Sequence, residues 1–460
     1  MLKLNEIKTL MEKNMTGNRG YQQGLRYYYG KHDILSYRVF FYNSDGKLVE
    51  DTQNQNTRIS HPFFTELVDQ QVQYMLSNKE SYVCSDIPEL QDELNNYFDD
   101  EFVADLNELL TGVIIKGSDY LYVYKNAEGK LSFQYAEIEN VVEVKAIDSP
   151  DHEDHIIYSY KPTDDITKVQ VWDKDQVSFY VLTDDKGIEF DKDYKINPQP
   201  HTVWNDGESE SFGVIPFFRL DNNKKRISNL DAIKDIIDDY DMMNCGFSNN
   251  LNDFDNPMYI VKGFEGDNLE ELQQNLRTKK MIGVDSDGGV EVKTVDVPYQ
   301  ARMAKMSEDE KNIYKFGMGF NSAQIGDGNI TNIVIKSRYA LLDLKSNKLE
   351  VRLRRFLKPI VKMVLKNIND EFNTDYQMKD IYFDFEREVM TNAQDNATIA
   401  QTEAATRQIE INTIMTIAQV IDDDTILQKI CDTLDLDITE VELKPDEVQE
   451  AYDDLDDVNE

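Results

Sequence analysis

From about Ile333 to Asn369, apolar side chains recur every three or four positions, a helical pattern that would run for about 55 Å if straight. Pro359 alone interrupts it. Because proline lacks a backbone N–H, the helix is expected to kink near Phe356. A second long pattern begins at Ser228, where Ser228 and Asp231 resemble a capping box, and continues through Leu230, Ile233, Ile237, Tyr240, Phe247 and Phe254 to a stop before Pro257. Such elements do not belong to a peptide-sized module, and the 460 residues allow two to four domains at roughly 100–200 residues each.

Around these long helices the pattern varies. Leu4, Ile7, Leu10 and Met11 mark a helix between Met1 and about Tyr29, and Phe64, Leu67, Val68, Val72 and Met75 mark another from His61 to Ser77. Between about Gly112 and Trp204 the runs become short and β-rich, as in YLYVY (120–124), VVEVKA (141–146) and VSFYVLT (177–183). The turn strings NAEGK and TDDKG separate several of them, so this part reads as an α/β unit with antiparallel hairpins. Between Pro257 and a further helix at Tyr299–Phe316 lies a compact insertion: strand MYIVKG, a helix near Leu269–Thr278, and a hairpin in which MIGV and VEVKTV flank Asp287 and Gly288. Four glycines among the thirteen residues 317–329 point to a mobile loop. Beyond the long helix follow strand IYFDFE (381–386), a helix at Ala393–Ile421, and a shorter one near Thr425–Leu434.

Charge narrows the functions. With 87 acidic against 49 basic residues the net charge is −38, which argues against a protein that grips nucleic acid by releasing counterions from phosphates. A hydrophobic content of 40% is too rich for a disordered chain, although residues 446–460 read as a solvated acidic tail. Cys84, Cys245 and Cys431 are too few and too scattered for a disulfide framework or a zinc cage and read as reduced thiols. The opening residues lack the apolar core of a secretory signal, and no apolar run reaches the roughly 18 residues needed to cross a bilayer. The expected location is a cytoplasm or a particle assembled there.

No residue pattern announces an enzyme. His152 and His155 form the only histidine pair, but no third ligand is evident and the pair reads as an exposed polar turn, with no metal site and no cofactor expected. DSDGG (285–289) departs from a calcium loop at its sixth and twelfth positions. GMGFNS (317–322) follows a helix and fails as a dinucleotide fingerprint. Tyr27, Tyr28 and Tyr29 read as packing residues at a helix end rather than a base-stacking platform. One region is strongly basic: Lys336 to Lys366 carries ten cations against Asp343 and Glu350. It either guides a polyanion or docks against acidic surface of its own fold or of a neighbouring copy; the second reading is preferred for the outer turns, while Lys336 and Arg338, beside the glycine-rich loop, stay open.

Several strings, taken in order, resemble the portal proteins of tailed bacteriophages with long non-contractile tails: YYYGKHDIL (27–35), TRISHPFFTELVDQQVQYMLSN (57–78), GVIIKGSDYLYVY (112–124), IPFFRLDNN (215–223), DAIKDIIDDYDMMNCGFSNNLNDF (231–254), FGMGFN (316–321) and SRYALLDLKSNKLEVRLRRF (337–356). The resemblance spans about Met1 to Leu436. It implies an α+β portal fold assembled as a ring of about twelve subunits at one capsid vertex, where double-stranded DNA passes during packaging and ejection without tight binding. In this frame 1–227 is the wing, 228–256 a stem helix, 257–298 the clip and 299–316 the second stem helix. The tunnel loop is 317–332, the kinked wing helix and strand 333–390, the helical crown 391–445 and the acidic tail 446–460. Phe320, Asn321, Ser322, Gln324, Ile325, Asn329 and Lys336 would line the DNA channel, and Glu265, Glu270, Arg277, Lys279 and Lys280 would serve motor docking on the clip. The implied partners are terminase, head-completion or adaptor proteins, and capsid and scaffolding proteins, with no membrane; the implied location is the virion, after assembly in the host bacterial cytoplasm. The competing readings are another ring-forming phage adaptor and a metal-dependent hydrolase using His152 and His155.

Overall fold

The computed structural model describes residues 2–434 except 18, 44, 53–55, 78–81, 127, 147–152, 184–186, 205–207, 256–257, 263–286, 294–297, 322–331, 388–392 and 418–422. The chain divides into two compact units, Met1–Ile325 with Tyr339–Glu388, and Gly326–Arg338 with Val389–Glu460.

The first unit opens with α1 (Leu4–Gly17) and α2 (Arg19–Tyr28), two helices where the sequence suggested one. A small hairpin follows, β1 (Phe40–Tyr42) with β2 (Leu48–Glu50), then α3 (Phe63–Met75), the short β3 (Val83–Cys84), α4 (Pro88–Tyr97) and α5 (Asp100–Lys116). The last two helices went unread in the sequence, and Gly112–Lys116, taken there as the start of the β-rich region, is the last turn of α5. The physical reason is burial: Phe102, Leu106, Leu109, Leu110, Val113, Ile114 and Ile115 are all inside, so the helix shows little amphipathic rhythm. Gly117 ends it in the left-handed conformation at φ 96°, where the backbone of Arg226 leaves no room for a Cβ.

Antiparallel strands then build the β part. β4 (Ser118–Lys125) pairs with β5 (Leu131–Ala136). A larger sheet is formed from β6 (Val141–Lys145), β7 (Glu153–Thr163), β8 (Ile166–Trp172), β9 (Gln176–Thr183) and β10 (Gly187–Phe190), ordered β10-β9-β8-β7-β6. Ile7 and Met11 of α1 pack on its Ile157, Val169, Val171 and Tyr180. The strand β11 (Phe217–Asp221) returns to the free edge of β4 and completes a sheet ordered β11-β4-β5.

Ser228 caps a single 3₁₀ turn, accepting from Leu230 N at 3.0 Å, and Ile233 leaves helical geometry before α6 (Lys234–Asp255) begins, so the long helix is shorter than its sequence pattern. β12 (Met258–Lys262) and β13 (Gly289–Lys293) pair antiparallel. The VEVK segment therefore finds MYIVK; the MIGV segment that the sequence assigned as its hairpin partner lies outside the described residues. α7 (Tyr299–Gly317) packs beside α6, with Arg302 Nη1 donating to Met243 O at 3.4 Å and Lys305 bridging Asp239 and Asp309.

α8 (Asn332–Phe372) is helical throughout, including Pro359. The helix tolerates this proline because Arg355, whose carbonyl loses its donor, and Pro359 itself are both exposed, so water can serve that carbonyl. Leu349, Leu353, Phe356, Leu357, Ile360, Val361, Val364 and Ile368 of α8 enter one large core with side chains from α3, α4, α5 and the β4–β5 hairpin. The strand β14 (Tyr382–Phe383) pairs with β3 and is shorter than the IYFDFE run. In the second unit, α9 (Ala393–Thr416) packs with α10 (Asp423–Leu434), where Ile426 and Cys431 are buried. No helix among the described residues is long and apolar enough to cross a membrane.

Candidate functional site

Two sets of contacts fix the helix pair α6–α7 and the segment that leaves its end. The first lies on α6. Asp241 is fully buried, and its two carboxylate oxygens take His32 Nδ1 at 2.6 Å and His61 Nδ1 at 2.7 Å, with the His61 backbone N–H adding a third bond at 3.0 Å. Burial alone would raise this carboxyl, but hydrogen bonds and charge from the two histidines outweigh it and hold Asp241 below the ordinary carboxylate range. The other ring nitrogen of His32 meets Tyr27 O at 3.3 Å. The Tyr27 ring stacks on the His32 ring at 4.4 Å, and the Tyr27 hydroxyl reaches Asp238 one turn before Asp241. This buries Tyr27 as the sequence suggested; Tyr28 hydrogen-bonds Asp69 at 2.9 Å, whereas Tyr29 is exposed.

The second set lies where α7 ends. Met318 adopts the left-handed cap conformation, and Gly319 N donates to Tyr314 O at 3.0 Å. Gln70 of α3 then grips Phe320 by its backbone, donating from Nε2 to Phe320 O at 2.8 Å and accepting from Phe320 N at 3.2 Å. Glu66 holds the amide of Gln70 and accepts from the Tyr314 hydroxyl; burial, reinforced by that carboxylate, pushes the Tyr314 phenol up. The Phe320 ring lies 4.7 Å from Tyr339, and Asn321 donates to Glu310. From α8, Lys345 donates to Gly317 O at 2.8 Å; although part of its side chain is exposed, its amine is buried, which pushes its pKa down to about 8.

These contacts correct, over 317–321, the reading of residues 317–329 as a mobile loop rather than a packed element; 322–329 lie outside the described residues. Gly317 and Gly319 are buried, and a Cβ on either would stand 2.6 Å or 2.3 Å from a Leu67 methyl. Glycine serves close approach to α3 here, not looseness. Replacing Gln70 with alanine should cost about 1–2 kcal/mol locally and accelerate amide exchange at Phe320 by roughly 5- to 30-fold. Unchanged exchange at that amide would show that the grip is not what holds the segment.

Of the channel residues named from sequence, Phe320 and Asn321 are brought together at this anchored exit, while Lys336 is exposed on the opening turns of α8 and falls in the second unit. Ser322, Gln324, Ile325 and Asn329 lie outside the described residues, as do Glu265, Glu270, Arg277, Lys279 and Lys280 of the insertion. His152 also lies outside them. His155 is not in an exposed turn: it is buried on β7 at a stretch covered on both faces, where Ile156 joins a cluster with Trp172 and Phe217 and Ile157 one with α1, and its Nδ1 lies 2.9 Å from Asp154. Among the described residues no group of three or more His, Cys, Asp or Glu side chains is arranged to hold a metal ion. Sequence reasoning missed Gln70, Glu66, His32 and Asp241. For Asp241 the signal was a polar side chain within the apolar helical pattern of α6; His32, which lies outside any helix, offered none.

A helix pair with a two-stranded insertion, anchored in a mixed helix and sheet body, now has relatives to stand beside. The chain belongs to the phage portal proteins: the family model described as phage portal protein, SPP1 Gp6-like, matches residues 15–451. It is 29% identical over 346 residues to the portal protein of Bacillus phage SPP1, covering 73% of this chain and 67% of that one. It is 26% identical over 412 residues to the portal protein of Clostridium phage phiCD119, covering 87% and 89%. A chain from the neck of a native GTA particle, computed with C12 symmetry, matches 80% of this chain and 89% of its own length, at 10% identity and a TM-score of only 0.39.

Proposed function

We propose that copies of this portal protein close into a ring, with twelve subunits as the family pattern implies, around an axial channel that passes double-stranded DNA into and out of a capsid. The observation that carries this reading is the family match across residues 15–451, which takes in both long helices, the insertion between them and the segment after α7. On this reading α6 and α7 form the stem and residues 257–298 the clip that meets terminase and later the head-completion proteins. Residues 391–445 form the crown, and the ring is built in the host cytoplasm and kept in the virion. The charge supports sliding: the chain carries a net charge of −38, and an anionic wall does not hold phosphates. The fixed exit at Phe320 and Asn321 supports a role for residues 321–329 at the narrowest part of the channel, since a loop reaching into a channel needs a rigid origin. On this reading Asn321, Ser322, Gln324 and Asn329 supply polar contacts to the DNA backbone and Phe320, Ile325 and Lys336 belong to the same channel lining, while Asp327, an acid inside the loop, is a departure that works against close phosphate contact. Chemistry on a substrate is not part of this role.

Deleting 321–329 and supplying the variant to a phage that lacks its own copy should leave rings of normal size in electron micrographs while DNA-filled heads are lost. Normal phage yield from that deletion would overturn the channel assignment. Particles without a central hole would overturn the ring.

A further inference from the structure

Along α8, Lys348, Arg352, Arg355, Lys358, Lys362 and Lys366 succeed one another every three or four residues, forming a cationic stripe about 27 Å long. Five of the six are exposed and Arg352 is half-buried. None has an ion pair among the described residues. Of the four acids of the helix, Glu350 is taken by Arg354 and Arg387 and Asp343 by Arg387, while Asp370, one turn beyond Lys366, and Glu371 stand more than 4 Å from every stripe cation. Pro359, at the middle of the stripe, borders an open cleft whose far wall holds Asp154, Asp173 and Asp175, yet none of these reaches a stripe cation within 4 Å. A chain with net charge −38 thus leaves its densest positive surface uncompensated.

The same unit carries the opposite surface. The outer side of α4 and α5 shows Glu89, Asp92, Asp100, Glu101 and Glu108 exposed, with Asp105 half-buried between Glu101 and Glu108. None of these forms an ion pair among the described residues either. Burial, with repulsion from Glu101 and Glu108, pushes the Asp105 carboxyl up, the mark of an acidic row without a counter-charge. Both surfaces face away from the one apolar core into which α4, α5 and α8 send their other sides. Among the described residues no ion pair joins the two faces within the subunit, whereas copies related by rotation can bring one against the other, which is the head-to-tail contact that closes a ring.

We infer that the α8 stripe of one copy docks on the α4–α5 acidic face of the next copy, and that this charge pairing sets the handedness and register of the ring. The inference rests on the ring reading above but is separable from it. Two charge reversals test it in the full-length protein: Arg355→Glu with Lys362→Glu on the stripe, and Glu101→Lys with Glu108→Lys on the acidic face. Native mass measurement should show that each reversal raises the concentration needed for ring assembly by roughly a hundredfold, because like charges then meet at the contact. The chain carrying both reversals should assemble at close to the wild-type concentration. Thermal melts of the monomeric forms separate this from misfolding, and the fully reversed chain is a second control. Rings unaffected by either reversal would overturn the inference while leaving the ring reading intact. A stripe reversal that spares the rings but abolishes retention of a duplex DNA probe would assign the stripe to the polyanion instead. A wild-type chain that forms no ring at any concentration would overturn the reading beneath both.

Discussion

Replacing Asp241 with asparagine should remove about 3–5 kcal/mol of stability at neutral pH, the cost of removing the buried anion on which three hydrogen bonds converge. The variant keeps the size of the side chain and can still accept hydrogen bonds, so the loss reports charge rather than volume. His32 would remain buried between Tyr27 O and an uncharged amide, and His61 would lose the anion that orients it. The sign with pH follows from the depressed carboxyl. The folded value of Asp241 lies below the unfolded one of about 3.9, so its contribution is complete above the ordinary carboxylate range and is lost as pH falls through the folded value. Urea melts of wild type and variant should therefore stand furthest apart above about pH 5 and converge in stronger acid. Amide exchange along α6 gives a local reading of the same event, since the clamp ties this helix to the loop before α3 at Asp241. Equal melts at neutral pH would mean that the two histidines are satisfied without the carboxylate.

That clamp was not legible in the sequence because its partners are 180 and 209 residues apart, and nothing local to His32 or His61 announces Asp241. What was legible is local: α3 and α7 show their inward residues at helical spacing, and the turns at Asn126–Lys130 and after Thr183 separate strands where expected. α5 was missed for the opposite reason, being apolar over most of its circumference. Its one polar side, Glu101, Asp105 and Glu108, is regular but was lost among 87 acids. The glycines at 317 and 319 were read as freedom and serve contact, since sequence cannot show that Leu67 stands against them. Phe320 and Asn321 were chosen for their place in a family pattern; the side chains that hold them, Gln70 for Phe320 and Glu310 for Asn321, come from two different helices.

The second large effect is expected at the turn from α5 into β4. Lys116 ends α5 with its amine 2.7 Å from Asp119 Oδ2, 2.9 Å from Glu139 and 3.0 Å from the Tyr135 hydroxyl, while Asp119 also accepts from Tyr135 at 2.6 Å and from Ile138 N at 2.6 Å. Asp119 is fully buried, and that burial pushes its carboxyl up to about 6 even with Lys116 beside it. Its native form therefore binds a proton more readily than the unfolded chain does, and its share of stability falls as pH rises from about 4 to about 6. In Lys116→Met the apolar stem is retained but the counter-charge is gone, so the carboxyl must hold its proton to still higher pH. The variant should lose about 3–5 kcal/mol relative to wild type at pH 8 and much less at pH 4.5, where the proton already neutralises Asp119 in both proteins. Comparing the two proteins at each pH cancels the other acids of the chain. Adding Asp119→Asn to Lys116→Met should recover much of the loss at pH 8, because the uncompensated charge is removed while the acceptor for Ile138 N and Tyr135 remains. A loss of equal size at both pH values would assign the effect to packing around the Lys116 stem, and the pairing of Lys116 with Asp119 would then contribute nothing to the fold.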